Sequence, residues 1–233
     1  MKKVVHWILG VILSFAVIMI LLISSFQAAM YMDFSFYEKE YEKYDVLSDL
    51  NMKMEDVMYV TREMMDYLKG DRENLEVITT VEGKEQDFFN EQDKLHMADV
   101  QGLFIGGLNL RTGSLIVLLV CLVLLILTKG NWKYIIPRAF QIALGISGAA
   151  AAILAFLFSR DFTAAFTKFH EIFFTNDLWI FDPATDYMIR MLPEGLFFDF
   201  VIRIGGIFAA GLILLLICSG IWRKNTKINS TNE

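Results

Sequence analysis

Four stretches free of Asp, Glu, Lys and Arg punctuate the chain, at residues 4–32, 112–128, 139–159 and 204–222. A hydrocarbon core about 30 Å thick needs about 20 helical residues, with a range near 17 to 25. Each stretch therefore predicts a membrane-crossing helix. The first is over-long and predicts a helix that runs past the membrane surface to Ala29 or Met30. It is also too long for the roughly 7–15-residue apolar segment of a cleaved leader. Cleavage near Ala28 or Ala29 would put Phe26 or Gln27 where a small residue belongs, so a retained span is expected. The second stretch is short, but Arg111 and Lys129 flank it and long basic side chains can reach up to the headgroups.

Between the spans the period changes. Residues 33–45 predict a short helix leaving the membrane. Met54, Val57, Met58, Met64, Met65 and Leu68 form a stripe at helical spacing, closed by Lys69 and Gly70, the basic-then-Gly pattern of a helix end. Residues 75–89 hold two short runs rich in β-branched and aromatic residues around Glu82-Gly83-Lys84, a predicted hairpin. Gly102, Gly106 and Gly107 predict either close helix approach or a break near the surface. Gly145, Gly148 and Ala149–Ala152 in the third stretch, and Gly205, Gly206, Ala209, Ala210 and Gly211 in the fourth, predict small-residue packing faces. Residues 167–198 follow the third span. Four Phe between 169 and 181, with Trp179, read as a surface lying on headgroups, where amphipathic rings collect.

Charge then sets the orientation. Lys2, Lys3, Lys129, Lys133, Arg138, Arg223, Lys224 and Lys227 lie in three short segments whose one acid is Glu233. Residues 27–112 instead carry 19 acidic against 9 basic residues, and 160–199 carry seven against three. Excess Lys and Arg mark cytoplasmic loops. The expected order is a cytoplasmic start (1–3), span (4–29), extracytoplasmic lobe (30–111), span (112–128), cytoplasmic loop (129–138), span (139–159), extracytoplasmic loop (160–199), span (200–222) and a frayed polar tail (223–233). The fold class is thus an all-α polytopic membrane protein, four transmembrane helices with a small, mainly helical extracytoplasmic lobe that contains a short β-hairpin. A composition 55% hydrophobic with mean hydropathy +0.47 excludes an ordinary soluble domain. Acidic outer segments and few basic residues exclude nucleic-acid binding. Cys121 and Cys218 fall within spans and read as small hydrophobes.

Candidate chemistry concentrates on histidine. His6 lies at the cytoplasmic end of the first span and reads as an interfacial filler. His96 and His170 both lie in outer segments near the ends of spans. His96, Asp99 and Leu103 share one helical face by their spacing, which predicts that Asp99 orients His96 by accepting a ring N–H. His170-Glu171 begins like a helical zinc-protease motif, but Phe174 stands where the second His belongs. A metal site from His96, Asp99, His170 and Glu171 or Asp177 is the alternative. No G-x-S-x-G elbow is present, and Ser35, Ser48 and Ser159 have no nucleophile context. Asp182 and Pro183 predict a capped helix start leading to Met191 and stopped by Pro193. Arg203 is expected either to pair with Asp199, one turn back, or to anchor a phosphate or carbonyl oxygen.

The segments HMADV (96–100), FHEIFF (169–174), Trp179, DPATD (182–186) and LPEGLFF (192–198) resemble the four-span bacterial lipoprotein intramolecular transacylases, along the whole chain. The resemblance implies an acyltransferase of the cell membrane acting on a lipoprotein whose N-terminal cysteine carries diacylglycerol. The sn-2 acyl chain moves to that cysteine's α-amino group and leaves a lyso-form lipoprotein. It implies His96 and His170 as the catalytic pair, with no cofactor. Asp99, Asn176, Asp182, Asp186 and Arg203 are the supporting residues expected, with Asn176 a candidate oxyanion donor. The chemistry agrees independently. The substrate amine, of pKa about 7.7–8.0, must shed a proton, and imidazole, near 6.5, is a fitting base. Nucleophile and ester belong to one substrate molecule, so orientation supplies much of the acceleration without an acyl-enzyme. The other readings are a non-catalytic docking or envelope-sensing protein and a metal-dependent membrane hydrolase.

Overall fold

The computed structural model describes the backbone of residues 1–231 and the side chains of residues 1–225, so most of the polar tail expected to fray lies outside the described side chains. In chain order the elements are α1 (Lys2–Tyr31), α2 (Ser35–Lys43), α3 (Val46–Leu50), α4 (Met54–Lys69), β1 (Ile78–Val81), β2 (Lys84–Asp87), α5 (Glu91–Leu127), α6 (Trp132–Arg160), α7 (Phe162–Phe173), α8 (Tyr187–Met191) and α9 (Glu194–Thr231). Among the described residues four helices, α1, α5, α6 and α9, are long and apolar enough to cross a bilayer. The chain divides into two compact units.

The first unit comprises 1–27, 108–160 and 204–233. Its packed interior is thin. Leu13 of α1 meets Cys121 and Leu125 of α5 and Ile135 and Ala139 of α6. Ile18 of α1 meets Phe140 and Ala143 of α6, with Phe208, Leu212 and Leu215 of α9 against them. Leu, Ile, Val and Phe side chains stand exposed along α5, α6 and α9, an apolar exterior that suits lipid as solvent and not water. Of the glycines expected on packing faces of the third and fourth spans, only Gly211 meets a neighbour among the described residues. Among the described residues nothing lies within 4 Å of a Cβ added at Gly145, Gly148, Gly205 or Gly206. The close approaches are at Gly10, where a Cβ would sit 2.5 Å from Ile135, and Gly211, 2.6 Å from Leu21. Small residues are necessary for close packing, but the facing helix decides which are used. His6 Nε2 lies 3.0 Å from the Thr128 hydroxyl, a local tie between α1 and α5.

The second unit comprises 28–107 and 161–203. The α4 stripe is buried, Val57, Met58, Met64, Met65 and Leu68 all being inaccessible or nearly so. Gly70 ends the helix at φ +86°, a left-handed position glycine adopts without cost. The hairpin pairs Ile78 with Asp87 and Val81 with Lys84. Its two-residue turn places Glu82 and Gly83 both at positive φ, the turn whose twist matches antiparallel strands. Tyr37, Tyr41, Phe88, Phe89, Met188, Met191 and Leu196 complete the core. The Tyr41 hydroxyl is satisfied by Thr61 at 2.6 Å.

Three local expectations fail here. The helix expected from Pro183 begins only at Tyr187, with Asp186 at its N-cap. Residues 182–186 form a turn in which Asp182 Oδ1 accepts from Ala184 N at 2.9 Å, while Asp186 Oδ2 takes the Asp182 backbone N–H at 2.7 Å. Both carboxylates serve loop amides, so the helix starts later. Arg203 pairs with Asp33 at 3.3 Å and covers the Phe36 ring. Asp199 is taken by Lys43 and by Tyr44, whose hydroxyl donates at 2.6 Å. The glycines at 102 and 106 neither break α5 nor meet a neighbour, since α5 is continuous through them and nothing described lies within 4 Å of either added Cβ.

Candidate active site

His96 sits in the second turn of α5. The uncharged stretch of that helix begins only after Arg111, so His96 precedes the spanning part. Asp93, His96 and Met97 are buried on one face, 0%, 5% and 4% exposed. His170 lies in the last turn of α7, an amphipathic helix capped by Asp161, whose carboxylate accepts from Ala164 N. Of α7 only His170 is buried, at 9% exposure. Phe169, Ile172 and Phe173 turn outward beside it, as does Ile180 in the loop that follows.

The two imidazoles, 74 positions apart in sequence, come together. Their ring centroids are 6.1 Å apart with 24° between planes. Aromatic rings enclose the pair. Phe174 and Phe181 meet His96 edge-on at 5.0 and 5.3 Å. Phe166 and Trp179 meet His170 at 4.4 and 5.1 Å. His170 Nδ1 lies 2.7 Å from the Phe166 carbonyl one turn back. A carbonyl can only accept, so Nδ1 carries the hydrogen and Nε2 keeps its lone pair. His96 Nδ1 is buried and has no hydrogen-bond partner.

Burial sets the protonation. His96 is pushed down to about 4, chiefly by loss of water, then by the charge of His170, with the Asp99 carboxylate opposing. His170 is also lowered by burial, with the Phe166 carbonyl opposing. Both rings are therefore neutral at pH 7. In this enclosure one ring can accept a proton while the other returns one, because each state costs little reorganisation of water.

The supporting residues take different positions from one another. Asp99 does not bond His96; its Oδ2 accepts from Asn176 Nδ2 at 2.9 Å, and it acts on His96 as a nearby negative charge. Asn176 is a loop organiser, its Oδ1 accepting from Leu178 N at 3.1 Å and its carbonyl from Trp179 Nε1 at 2.9 Å. That second bond holds the indole against His170. Asp186, 5% exposed, accepts from Asn90 Nδ2 at 2.7 Å and from the Thr185 hydroxyl at 3.0 Å. Asp182 stays within the same turn, and Arg203 stays with Asp33 and Phe36. Among the described residues no three of His, Cys, Asp and Glu converge on a common point that would hold an ion.

A family model described as lipoprotein intramolecular transacylase Lit matches residues 11–198. The chain belongs to the Lit family. That membership carries the transacylase class. Among solved structures the chain resembles the membrane-integral lipoprotein intramolecular transacylase Lit from Bacillus cereus. The likeness has a TM-score of 0.78 at 18% identity over 96% of this chain and 98% of that one. A form of that protein with one histidine changed to arginine gives 0.74 at 17% identity, over 96% and 94%. A form with a histidine changed to alanine gives 0.73 at 17%, over 96% of each chain. Identity this low speaks for the fold. Among curated proteins there is no match.

Several residues around the Lit-family site escaped the sequence reading. Gln92 Nε2 donates to the carbonyls of Leu178 and Ile180, at 3.1 and 2.8 Å, and pins the aromatic loop to α5. Asn90 and Asp93 cap α5 reciprocally: Asn90 Oδ1 accepts from Asp93 N at 2.9 Å, and Asp93 Oδ2 accepts from Asn90 N at 3.0 Å. The Asn-x-x-Asp spacing of that capping box was readable. Nothing local announces the carbonyl partner of His170 or the reach of Gln92.

Proposed function

We propose that this multi-pass membrane protein transfers the sn-2 acyl chain of a diacylglyceryl-cysteine lipoprotein to the α-amino group of the same cysteine. The amine nitrogen attacks the ester carbonyl and loses a proton. The C–O bond to glycerol breaks, and the departing oxygen takes a proton, leaving an amide and a lyso-glyceryl thioether. Proton loss and gain balance within one substrate, so two imidazoles suffice as relay. His170 is the base, because its Nδ1–H is held by Phe166 and its Nε2 lone pair is free. His96, neutral at rest and the poorer base, takes on at Nε2 the proton that His170 has removed from the amine and returns it to the departing alkoxide, since a weakly basic imidazole gives up its proton readily.

The observation that carries this reading is the pair of buried, neutral rings 6.1 Å apart inside an aromatic enclosure, in a chain of the Lit family. The outward apolar side chains Phe169, Ile172, Phe173 and Ile180 support contact with the lipid the substrate's acyl chains occupy. The deciding experiment is mass spectrometry of lipoprotein N-termini from cells with and without this protein. Lyso-form termini that appear only with it support the reading, and unchanged termini overturn it.

The charge distribution supports a site on the extracytoplasmic side. Cysteines placed at Lys53 and Asp177 are expected to react with an impermeant thiol reagent on intact cells. One placed at Lys133 is expected to react only after permeabilisation. External labelling at residue 133 would invert the orientation.

Asp99 raises the basicity of His96 through space. Asp99→Asn retains an acceptor for Asn176 and removes that charge. The titration of His96, followed by nitrogen-15 NMR, is expected to move to lower pH while the melting temperature stays put. A titration that does not move makes Asp99 a purely structural anchor.

A further inference from the structure

Among the described residues two buried side-chain polar atoms have no hydrogen-bond partner: Asp93 Oδ1 and His96 Nδ1. They belong to residues three apart on α5, a spacing that stacks side chains on one helical face, and both residues are at least nine-tenths buried. Unpaired buried polar atoms are rare because each has given up water and received no partner in return. Two such atoms on one face, an acceptor and an atom able to donate, do not bond each other and are best explained by a water that bridges them.

We propose that Asp93 is the positioning residue of His96, its free carboxylate oxygen taking the His96 Nδ1–H through one trapped water. This rests on the two-imidazole reading of the site. The consequence is a defined tautomer. With Nδ1 protonated toward Asp93, His96 Nε2 is left to the reacting groups, as His170 Nε2 is by virtue of the Phe166 carbonyl. The two rings are thus oriented alike by two different acceptors.

The rest of the carboxylate is already fixed. Asp93 Oδ2 is held by Asn90 N, and Asn90 Nδ2 is held by Asp186. The support of His96 therefore runs back from Asp93 through Asn90 to the 182–186 turn. That arrangement, a carboxylate whose second oxygen is anchored elsewhere, is what keeps an imidazole from swinging. Burial raises Asp93 to about 6, with the charges of Asp186 and Asp87 adding and the Asn90 amide opposing. It is therefore ionised, and accepts, at pH 7. The charged groups acting on His96 itself are His170 and Asp99.

The isosteric change Asp93→Asn separates positioning from capping, because an amide oxygen still receives the Asn90 N–H. The full-length protein in detergent, assayed on a synthetic diacylglyceryl-cysteine lipopeptide, is expected to lose about tenfold to a hundredfold in kcat with KM little changed. The titration of His96 should move to lower pH, since an acceptor that favoured the imidazolium is gone. Asp93→Glu keeps the charge and should recover part of the rate. Nitrogen-15 NMR of labelled histidines gives a readout that needs no catalysis. In the wild-type protein His96 is expected as the Nδ1–H tautomer, and in Asp93→Asn as Nε2–H or a mixture. A wild-type His96 found as Nε2–H overturns the proposal even if the variant fails to fold. So does an Asp93→Asn protein with kcat within about twofold of wild type and an unmoved His96 titration, since a positioning carboxylate is worth about tenfold or more. A fully active His96→Ala protein would instead strike the two-imidazole reading, leaving the tautomer measurement to judge Asp93 alone.

Discussion

Replacing His96 or His170 with alanine is expected to lower acyl transfer by about a hundredfold to ten-thousandfold, the range a positioned acid or base contributes. The double replacement should be little worse than the more damaging single one. Groups that act as one unit lose their effect together, and the rings face each other at 6.1 Å. His6→Ala should be near neutral, because His6 bonds only the Thr128 hydroxyl. The measurement is turnover of the synthetic lipopeptide, with melting temperature followed in parallel. Multiplicative losses in the double variant would mean two independent roles, and a fully active single variant would remove that ring from the mechanism.

Asp186→Ala is expected to cost about 3 kcal/mol of stability and most of the activity. Its carboxylate receives Asn90 Nδ2, the Thr185 hydroxyl and the Asp182 amide, and each donor left unpaired when buried costs about 1–3 kcal/mol. The activity loss follows from position. Phe181, which closes over His96 at 5.3 Å, immediately precedes the turn that Asp186 ties to α5. Asp186→Asn keeps acceptor capacity and should cost about 1 kcal/mol, with activity largely retained. Thermal unfolding of both variants in one detergent separates the cases. Equal melting temperatures for alanine and asparagine would show that the bonds at Asp186 carry no net stability.

The elements that sequence alone decided are those written by a local period. An uncharged run of bilayer length, a 3.6-residue stripe ended by Lys69-Gly70, and a hairpin centred on Glu82-Gly83-Lys84 each need only neighbours to be recognised. Each appears in the structure as α1, α5, α6 and α9, as α4, and as β1–β2. Which two histidines could meet was also legible, because only three histidines exist and one stands beside the chain's basic start.

Partner choice was not legible, because it is settled by chain segments far apart. Arg203 lies one turn from Asp199, yet it pairs with Asp33, 170 positions away, since Lys43 and Tyr44 reach Asp199 first. Asp99 has the right spacing for His96, yet Asn176 claims it from 77 positions away. Asp182 and Pro183 spell a helix start, but Asp186 draws the Asp182 amide into a turn because Asn90, 96 positions away, holds Asp186. The glycine faces follow the same rule: spacing offers small residues, and only the opposing helix selects Gly10 and Gly211. Spacing along a helix fixes which side chains share a face, but a buried donor or charge goes to whichever partner the tertiary fold brings closest, because leaving it unpaired is the costlier state.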